Sequence, residues 1–353
     1  MNVAGTVKAI GLISGGLDST LALALVRRQG IEVKAVNFYT GLCITETQRR
    51  KGGRADGTIP QNEALRAAAE LEVDVEYVDI SGKAYFDMLV HPRWGYGANA
   101  NPCVDCRVFM MRRAKEIMEA EGAEFVFTGE VLGQRPKSQR RDTLRIIERE
   151  SGLEGRLLRP LSAQLLEPTI PEKEGKLDRA RLLDISGRSR HRQMALAEEL
   201  GIANWPQPAG GCCYLTDESF AKKFFDILDS REAAGAERAI DKDDVILLST
   251  GRHFRLSPRA KLVVSRSEVE NALLEHHVTG RARLEARDVL GPVALVEGTP
   301  TWEERLVAAR IVARYGKGKD APKVVVEWRE GELQEFYEVE PERDEARIEA
   351  LRL

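Results

Sequence analysis

The residues with the clearest chemical potential form one loop near the start of the chain. Residues 14–20 are Ser-Gly-Gly-Leu-Asp-Ser-Thr, directly after an apolar run. Two glycines let backbone N–H groups approach an anion closely, and a helix that starts near Ser19 directs its unpaired N–H groups at the same point. Asp18 would repel bare phosphate and is therefore expected to bind Mg²⁺ carried by a nucleotide. We predict a nucleotide-binding loop formed by Ser14, Gly15, Gly16, Asp18, Ser19 and Thr20.

The spacing excludes two other nucleotide-binding loops. Neither G-x-x-x-x-G-K-[ST] nor G-x-G-x-x-G occurs in the chain, so the kinase-type and dinucleotide-type loops have no support. The remaining alternative is an ordinary turn between a strand and a helix, with Ser19 as the helix cap.

The cysteines are the second group with chemical potential. Cys103 and Cys106 have CxxC spacing at the start of a predicted helix, and Cys212 and Cys213 follow Gly-Gly before another. Three interpretations stay open: a structural zinc site, a redox or persulfide pair, and an iron–sulfur cluster. Neighbouring cysteines in an extended segment point to opposite faces, which disfavours four zinc ligands. The alternative is that all are small buried apolar residues, as we expect for Cys43.

Alternating strands and helices position these residues. Apolar runs at 7–13, 33–39, 73–80, 125–128 and 157–161 predict strands, and the periodicity of 19–29, 62–71, 104–121, 188–200 and 216–228 predicts helices. Such alternation indicates parallel βαβ units. Beyond about residue 233 the pattern changes to strand-like pieces at 245–248, 261–264 and 293–296, with helices at 268–276 and 300–315. We therefore predict a parallel α/β domain at 1–232 that carries the loop, and a smaller α+β domain at 233–353.

The length and composition are typical of a globular protein with more than one domain. The 353 residues exceed what one core usually organises, and 43% apolar with 31% charged residues is an ordinary globular balance. No apolar stretch is long enough to span a bilayer, so no membrane association is expected. Five cysteines are too few and too clustered for a secreted disulfide framework. We expect a cytoplasmic protein, and the oligomeric state stays open.

The loop at 14–20 closely resembles the signature of the PP-loop ATP pyrophosphatases. That family includes GMP synthetases, argininosuccinate synthetases, lysidine synthetases and tRNA thiolation enzymes. Its members split ATP into AMP and pyrophosphate while they activate a carbonyl oxygen as an adenylate. The resemblance implies a doubly wound parallel sheet of the adenine nucleotide alpha hydrolase type, ATP and Mg²⁺ as cofactors, and replacement of oxygen by nitrogen or sulfur.

A second segment narrows the resemblance. Residues 127–134, Phe-Thr-Gly-Glu-Val-Leu-Gly-Gln, with Ser138-Gln139, are similar to the TGE-x-x-GQ…SQ segment of tRNA 4-thiouridine synthetases. The likeness covers about residues 6–230 and implies that Gly129 and Gln134 help to bind the nucleotide. We expect neither the THUMP-type domain that precedes the catalytic domain in those enzymes nor a rhodanese domain.

Within this group the likeness is to thiolation enzymes that hold a [4Fe–4S] cluster with CxxC and a distant cysteine. The resemblance implies that Cys103, Cys106 and Cys212 are the ligands, and that they act in catalysis together with Asp18. Cys213 stays open as an alternative to Cys212.

Two groups of basic residues are predicted to face RNA. The first follows the Gly-Gln segment, and the second lies in a region, about 235–330, that resembles the RNA-binding domain of the NFACT family. These residues would contact phosphates rather than bases, the alternative being solvated charged faces. The residues are Arg135, Lys137, Arg140 and Arg141, then Arg252 and Arg255, with His253, Arg259, Lys261 and Arg266 nearby.

The resemblances together predict an ATP-dependent tRNA sulfurtransferase that adenylates a uridine carbonyl oxygen and replaces it with sulfur. Sulfide or a persulfide donor would supply the sulfur, and the modified position stays open. Two alternatives remain. One is a PP-loop enzyme that adenylates a small molecule or a carrier, and the other is a non-catalytic RNA-binding factor that senses nucleotide.

Overall fold

The computed structural model describes residues 6–44, 46–47, 62–205 and 213–353. These residues form two compact units. The first contains the described residues up to Glu46 together with 62–205, and the second contains Thr47 and 213–353. The helix Glu218–Ala233, which the sequence prediction assigns to the N-terminal domain, lies in the second unit.

The first unit is built on a parallel sheet of five strands in the order β3-β2-β1-β4-β5. The strands are β1 Lys8–Leu12, β2 Glu32–Tyr39, β3 Val75–Asp79, β4 Phe125–Thr128 and β5 Leu157–Leu158. Its helices are α1 Leu17–Arg27, α2 Glu63–Glu70, α3 Lys83–Val90, α4 Cys103–Ala120, α5 Arg141–Ser151, α6 Ile170–Lys173 and α7 His191–Glu199. The strand order reverses between β1 and β4, and ligands of such sheets bind in the crevice beyond the strand ends at that reversal. The predicted α/β class is confirmed.

Close packing in the middle of the sheet explains a glycine in β1. Gly11 pairs with Ala35 of β2 and Phe127 of β4. A Cβ atom on Gly11 would lie 2.5 Å from the Phe127 ring, which is fully buried. The ring therefore fills the space of the missing side chain, and β1 and β4 are held in register at the point where the strand order reverses.

The second unit is built on an antiparallel sheet of six strands in the order β11-β10-β8-β9-β7-β6. The strands are β6 Arg252–Ser257, β7 Ala260–Val264, β8 Ala282–Ala286, β9 Ala294–Gly298, β10 Val324–Glu330 and β11 Leu333–Val339. Its helices are α8 Glu218–Ala233, α9 Lys242–Leu248, α10 Glu268–Glu275, α11 Trp302–Arg314 and α12 Glu345–Leu351. Helix α11 contributes Ile311 and Val312 to the core around Trp328, which confirms the predicted smaller α+β domain.

Some local predictions are wrong. Residues 245–248 lie in helix α9 and not in a strand, because Asp241 and Asp244 form a capping box that starts the helix upstream of the apolar run. The strand predicted at 157–161 is limited to β5, Leu157–Leu158. Within the described ranges, the structure contains no helix with both the length and the apolar character needed to cross a bilayer.

Candidate nucleotide site and candidate RNA-binding residues

The predicted loop lies at the strand reversal and is fixed there by its glycines. Gly15 has a φ of +76°, and a Cβ atom on it would lie 2.1 Å from the backbone carbon of Glu63. A Cβ atom on Gly129, which follows β4, would lie 2.4 Å from the backbone nitrogen of Ser19. Only glycine fits at either position, so the start of α1 packs directly against the backbone of its neighbours.

The hydroxyl groups of the loop shape its backbone. Ser19 Oγ donates to the Gly16 carbonyl at 2.9 Å, and Thr20 Oγ1 donates to the same carbonyl at 3.1 Å. The N-cap residue of α1 is Gly16, which supplies no side-chain cap. The first N–H groups of α1 therefore have no side-chain acceptor at the cap, which is the arrangement that binds anions at helix N-termini.

Asp18 is the charged centre of the site. Its Oδ2 accepts a hydrogen bond from Gln134 Nε2 at 2.8 Å and lies 3.0 Å from Arg190 Nη2. Its Oδ1 is buried and has no hydrogen-bond partner among the described residues. A buried carboxylate oxygen without a partner is energetically costly, and a hard cation such as Mg²⁺ would satisfy it. The donor set therefore fits the predicted metal.

Gln134 is held in place from two sides. Gln193 on α7 is fully buried and donates from Nε2 to Gln134 Oε1 at 3.3 Å. The preceding Gly133 has a φ of +76° and donates to the Gln139 carbonyl at 2.7 Å. The predicted residue Gln134 thus reaches Asp18 as one member of a network.

Arg190 and Gln193 are part of this network, and the sequence prediction missed both. They lie at the start of α7, more than 170 positions beyond Asp18, in a segment predicted only as an amphipathic helix. The polar residues Arg188, Arg190 and Gln193 near the start of that helix were the available signal.

Glu130 of the Thr-Gly-Glu segment stabilises the scaffold. It is 3% exposed, and its Oε2 lies 3.2 Å from Nε of Arg159, which is 2% exposed. Arg159 also contacts Glu148 of α5, and Arg107 of α4 lies 3.6 Å from Glu130 Oε1. This buried network joins the segment after β4 to β5 and to two helices beneath the site.

We expect Arg159→Met to lower the free energy of unfolding by about 3–5 kcal/mol, because it leaves the Glu130 carboxylate buried without its main partner. Arg149→Met is the matched control, since Arg149 forms an exposed pair with Glu150, of the kind worth about 0–1 kcal/mol. Urea denaturation followed by circular dichroism measures both. Equal, small losses in the two variants would contradict a stabilising role for the buried network.

The CxxC cysteines lie in the first turn of α4 and are partly exposed. The Tyr85 hydroxyl lies 3.3 Å from Cys106 Sγ. Between the cysteines, the buried Asp105 carboxylate accepts hydrogen bonds from the backbone N–H groups of Arg93 at 2.7 Å and Trp94 at 3.2 Å. The loop before α4 is thereby tied to the helix that presents both thiols.

The third predicted ligand, Cys212, lies outside the described residues. Cys213 belongs to the second unit, where it precedes a short 3₁₀ helix, Tyr214–Thr216, and Cys43 is partly buried. In the part of the chain that the structure describes, no three His, Cys, Asp or Glu side chains come together as a metal site. Cys103 and Cys106 thus stand as two neighbouring thiols with suitable spacing.

In the first basic group, Arg135 to Arg141, one side chain holds a neighbouring loop and the arginines are exposed to solvent. Lys137 Nζ donates to the carbonyl of Gly95 at 3.0 Å, so it holds the loop before α4. Arg141 donates to the Leu165 carbonyl at 2.8 Å, and Arg140 lies 3.4 Å from Asp142. Arg135, Arg140 and Arg141 are exposed and lie after the segment that carries Gln134.

The second basic group is largely internal to the second unit. Arg255 forms two bonds to Asp226, at 2.8 and 2.6 Å, and Lys261 Nζ lies 2.9 Å from the same carboxylate. Burial opposes ionisation of Asp226, but the Arg255 bonds and the Lys261 charge outweigh it and hold the pKa of Asp226 below its usual value. Burial also lowers the pKa of His253 well below its usual value. These side chains stabilise the fold, whereas Arg252 is partly exposed and Arg259 and Arg266 are exposed.

Two family models match the chain. Residues 3–164 match the family described as thiamine biosynthesis protein (ThiI), and residues 251–351 match the NFACT protein RNA binding domain. The first match includes the loop at 14–20, the CxxC cysteines and Gln134, and the second includes Arg252. The resemblances predicted from these segments are therefore confirmed.

Known proteins are similar over parts of the chain. A probable tRNA sulfurtransferase from Thermococcus kodakarensis is 29% identical over 167 residues, which cover 44% of this chain and 36% of the relative. A 7-cyano-7-deazaguanine synthase from Rhodopirellula baltica is 32% identical over 80 residues, which cover 23% of this chain and 29% of that relative. The chain thus spans about a third of the length of the curated relatives it matches.

One solved structure that is similar to part of the chain is the crystal structure of a 4-thiouridine synthetase–RNA complex with bound ATP. It is 21% identical, the match covers 55% of this chain and 51% of that chain, and the TM-score is 0.33. The fold assignment rests on the strand order and on the family models.

Proposed function

We propose that this chain is an ATP-dependent tRNA sulfurtransferase. The premise is that residues 3–164 belong with the ThiI family and that residues 251–351 form an NFACT-type RNA-binding domain. The observation that carries the proposal is the Asp18 carboxylate beside the uncapped start of α1, because its buried Oδ1 has no partner among the described residues. This pairing of a metal ligand with an anion site suits Mg-ATP.

The loop and α1 would hold the nucleotide by its pyrophosphate. Backbone N–H groups after Gly15 and Gly16 would bind phosphate oxygens, and Asp18 would bind Mg²⁺ through its buried oxygen. Bound Mg-ATP supplies an electrophilic α-phosphorus and a pyrophosphate leaving group. Arg190, which neutralises Asp18 in the structure, would place its positive charge beside the phosphates once the metal takes over the carboxylate.

The proposed reaction has two steps. A uridine carbonyl oxygen attacks the α-phosphorus, the bond to the β-phosphate bridging oxygen breaks, and pyrophosphate leaves. Hydrosulfide then adds to the activated ring carbon, and that carbon loses the original oxygen as part of AMP. Where a persulfide delivers the sulfur, its terminal sulfur adds in the same way, and a second thiol then attacks the donor cysteine sulfur, which forms a disulfide and releases the thiolated base. Preorganised N–H groups at the loop would stabilise the charge that develops on the phosphates.

Cys103 and Cys106 are proposed to handle the sulfur, with Cys212 as the third ligand. Together they would hold a [4Fe–4S] cluster, which when bound offers one iron without a protein ligand for sulfide. Their place in the first turn of α4 supports this role, because CxxC spacing at one end of a helix presents both thiols from the same turn. Tyr85 and Asp105 would orient the thiols.

The test uses the purified full-length chain, ATP and unmodified tRNA. We expect tRNA-dependent release of pyrophosphate, and thiouridine in the tRNA when sulfide is supplied. Mass spectrometry of tRNA nucleosides from cells with and without the gene gives the second readout. Unchanged 4-thiouridine and 2-thiouridine in cells without the gene would count against the proposal.

A second candidate is an enzyme that adenylates a small molecule or a carrier. The partial match to a 7-cyano-7-deazaguanine synthase favours it, since that relative is named for the synthesis of a small molecule. Pyrophosphate release that needs no RNA would support this candidate. Salt-dependent RNA binding without ATP turnover would instead support a nucleotide-sensing RNA-binding factor.

For the leading proposal, tRNA is the partner and the cytoplasm is the expected location.

A further inference from the structure

Two arginines contact one tyrosine at the β6 edge of the second sheet, and a third arginine lies near them. The guanidinium carbon of Arg252, at the start of β6, lies 4.5 Å from the centre of the Tyr315 ring. Arg352, after α12, donates from Nη2 to the Tyr315 hydroxyl at 2.8 Å. Arg252 also donates to the carbonyl of Ser265 at 3.3 Å, next to Arg266. We call Arg252, Arg266, Arg352 and Tyr315 the arginine cluster.

The backbone fixes Arg252 in this place. The preceding Gly251 has a φ of +72°, and a Cβ atom on it would lie 2.6 Å from the Val264 carbonyl oxygen. Only glycine permits this approach, and the tight contact directs Arg252 toward the end of β7. Arg266, two residues beyond the end of β7, donates its backbone N–H to Glu270 at 2.8 Å, and its side chain is exposed.

The cluster concentrates positive charge. Burial and the nearby charges of Arg266 and Arg352 lower the pKa of Arg252 below its usual value. The carboxylate bonded to the Arg352 side chain is Glu349, at 2.8 Å, in an exposed pair of low expected strength. Glu270, which accepts the Arg266 backbone N–H at 2.8 Å, also attracts Arg252, and the C-terminal end of α11 at Tyr315 adds about half a negative charge. With Glu349 and Glu270 counted, the three cations keep a small excess of positive charge, about half a unit.

We propose that the arginine cluster binds the phosphodiester backbone of RNA. Guanidinium groups match phosphate oxygens in geometry and charge, and Tyr315 organises two of them instead of offering a free face to a base. The site therefore recognises phosphate and not sequence. This inference deepens the proposed function, because it assigns where the second unit holds the RNA substrate.

The cluster differs from the sequence prediction in its members. Arg255 is paired with Asp226 and is not a member, whereas Arg352, which the sequence prediction did not name, is one. At the opposite edge of the same sheet the basic side chains are paired with carboxylates: Arg287 and Arg329 lie beside the buried Glu327 of β10, and Lys323 lies 3.3 Å from Glu338 of β11. A polyanion is thus directed to the β6 end of the sheet.

The test measures binding of the full-length chain to a fluorescein-labelled single-stranded RNA by anisotropy at several salt concentrations. Arg266→Gln and Arg352→Gln are each expected to weaken binding about tenfold. Each should also lower the slope of log affinity against log salt by about 0.7, whatever the RNA sequence. Thermal unfolding of each variant verifies that the fold is retained.

Two further variants test for tighter RNA binding and for unchanged RNA binding. Glu349→Gln is expected to tighten RNA binding, because it releases Arg352 from its carboxylate. Arg329→Gln is the matched control, since Arg329 lies on β10 with three strands between it and β6. It should bind RNA like the wild type.

The outcomes separate this inference from the proposed function. If the wild type thiolates tRNA but Arg266→Gln and Arg352→Gln bind RNA like Arg329→Gln, the cluster is not the RNA site. If the wild type releases no pyrophosphate, yet these variants lose RNA affinity and salt dependence as expected, the site stands and the sulfurtransferase proposal falls. Binding of inorganic phosphate without binding of RNA would overturn the site.

Discussion

Replacement of Asp18 by Asn is expected to lower the rate of tRNA-dependent pyrophosphate release by about 10²–10³-fold. Asn keeps the size of the side chain and one oxygen acceptor for Gln134 or Arg190, so the loop should retain its backbone. It removes the negative charge that would bind Mg²⁺ at the buried Oδ1. The affinity for Mg-ATP, measured by isothermal titration calorimetry, should fall as well.

Arg190→Gln is the comparison variant, because it separates loss of the ion pair from loss of the Asp18 carboxylate. It removes the ion pair with Asp18 but leaves the carboxylate and its bond from Gln134 in place. We expect Arg190→Gln to bind Mg²⁺ at least as well as the wild type and to release pyrophosphate more slowly, because the lost charge faces the phosphates. If Asp18→Asn turned over at the wild-type rate, Asp18 would only anchor Arg190 and Gln134.

Replacement of Cys103 or Cys106 by Ala is expected to abolish thiouridine formation while tRNA-dependent pyrophosphate release continues near the wild-type rate. The two thiols lie in the first turn of α4, whereas the proposed ATP-binding loop follows β1. In the proposed reaction, adenylation and sulfur transfer would therefore use different residues. The measurement pairs a pyrophosphate assay with mass spectrometry of the digested tRNA.

Cys43→Ala is the matched control for the cysteine variants. Cys43 is also partly buried and belongs to the first unit, but the resemblance gives it no ligand role. It should form thiouridine like the wild type. Full thiolation by Cys103→Ala, together with anaerobically purified protein that contains neither iron nor labile sulfide, would refute the cluster and the proposed role of CxxC. Loss of pyrophosphate release in the same variant would show that the thiols are needed before sulfur transfer.

The sequence predicted the parallel sheet and the loop because their determinants are local. Periodic apolar residues define strands and helices, and Gly15 is required by a positive φ within the loop itself. Helices α3 and α5 and strands β8, β10 and β11 were not predicted, since their mixed polar and apolar residues acquire a buried face only against partners distant in the chain. Residues 245–248 were assigned to a strand because the cap at Asp241 lies before the apolar run.

The sequence by itself determined that this chain has a loop suited to pyrophosphate, an acidic residue suited to Mg²⁺ and thiols with ligand spacing. These properties follow from residue types within a few positions of one another. Only the tertiary structure decided which charges interact with each other and which remain for a ligand. Arg255 pairs with Asp226 from 29 positions away and Arg190 reaches Asp18 from 172 positions away, and neither pair follows from the residues next to it in the sequence. The physical reason is that an ion pair depends on distance in space, which the folding of distant segments sets.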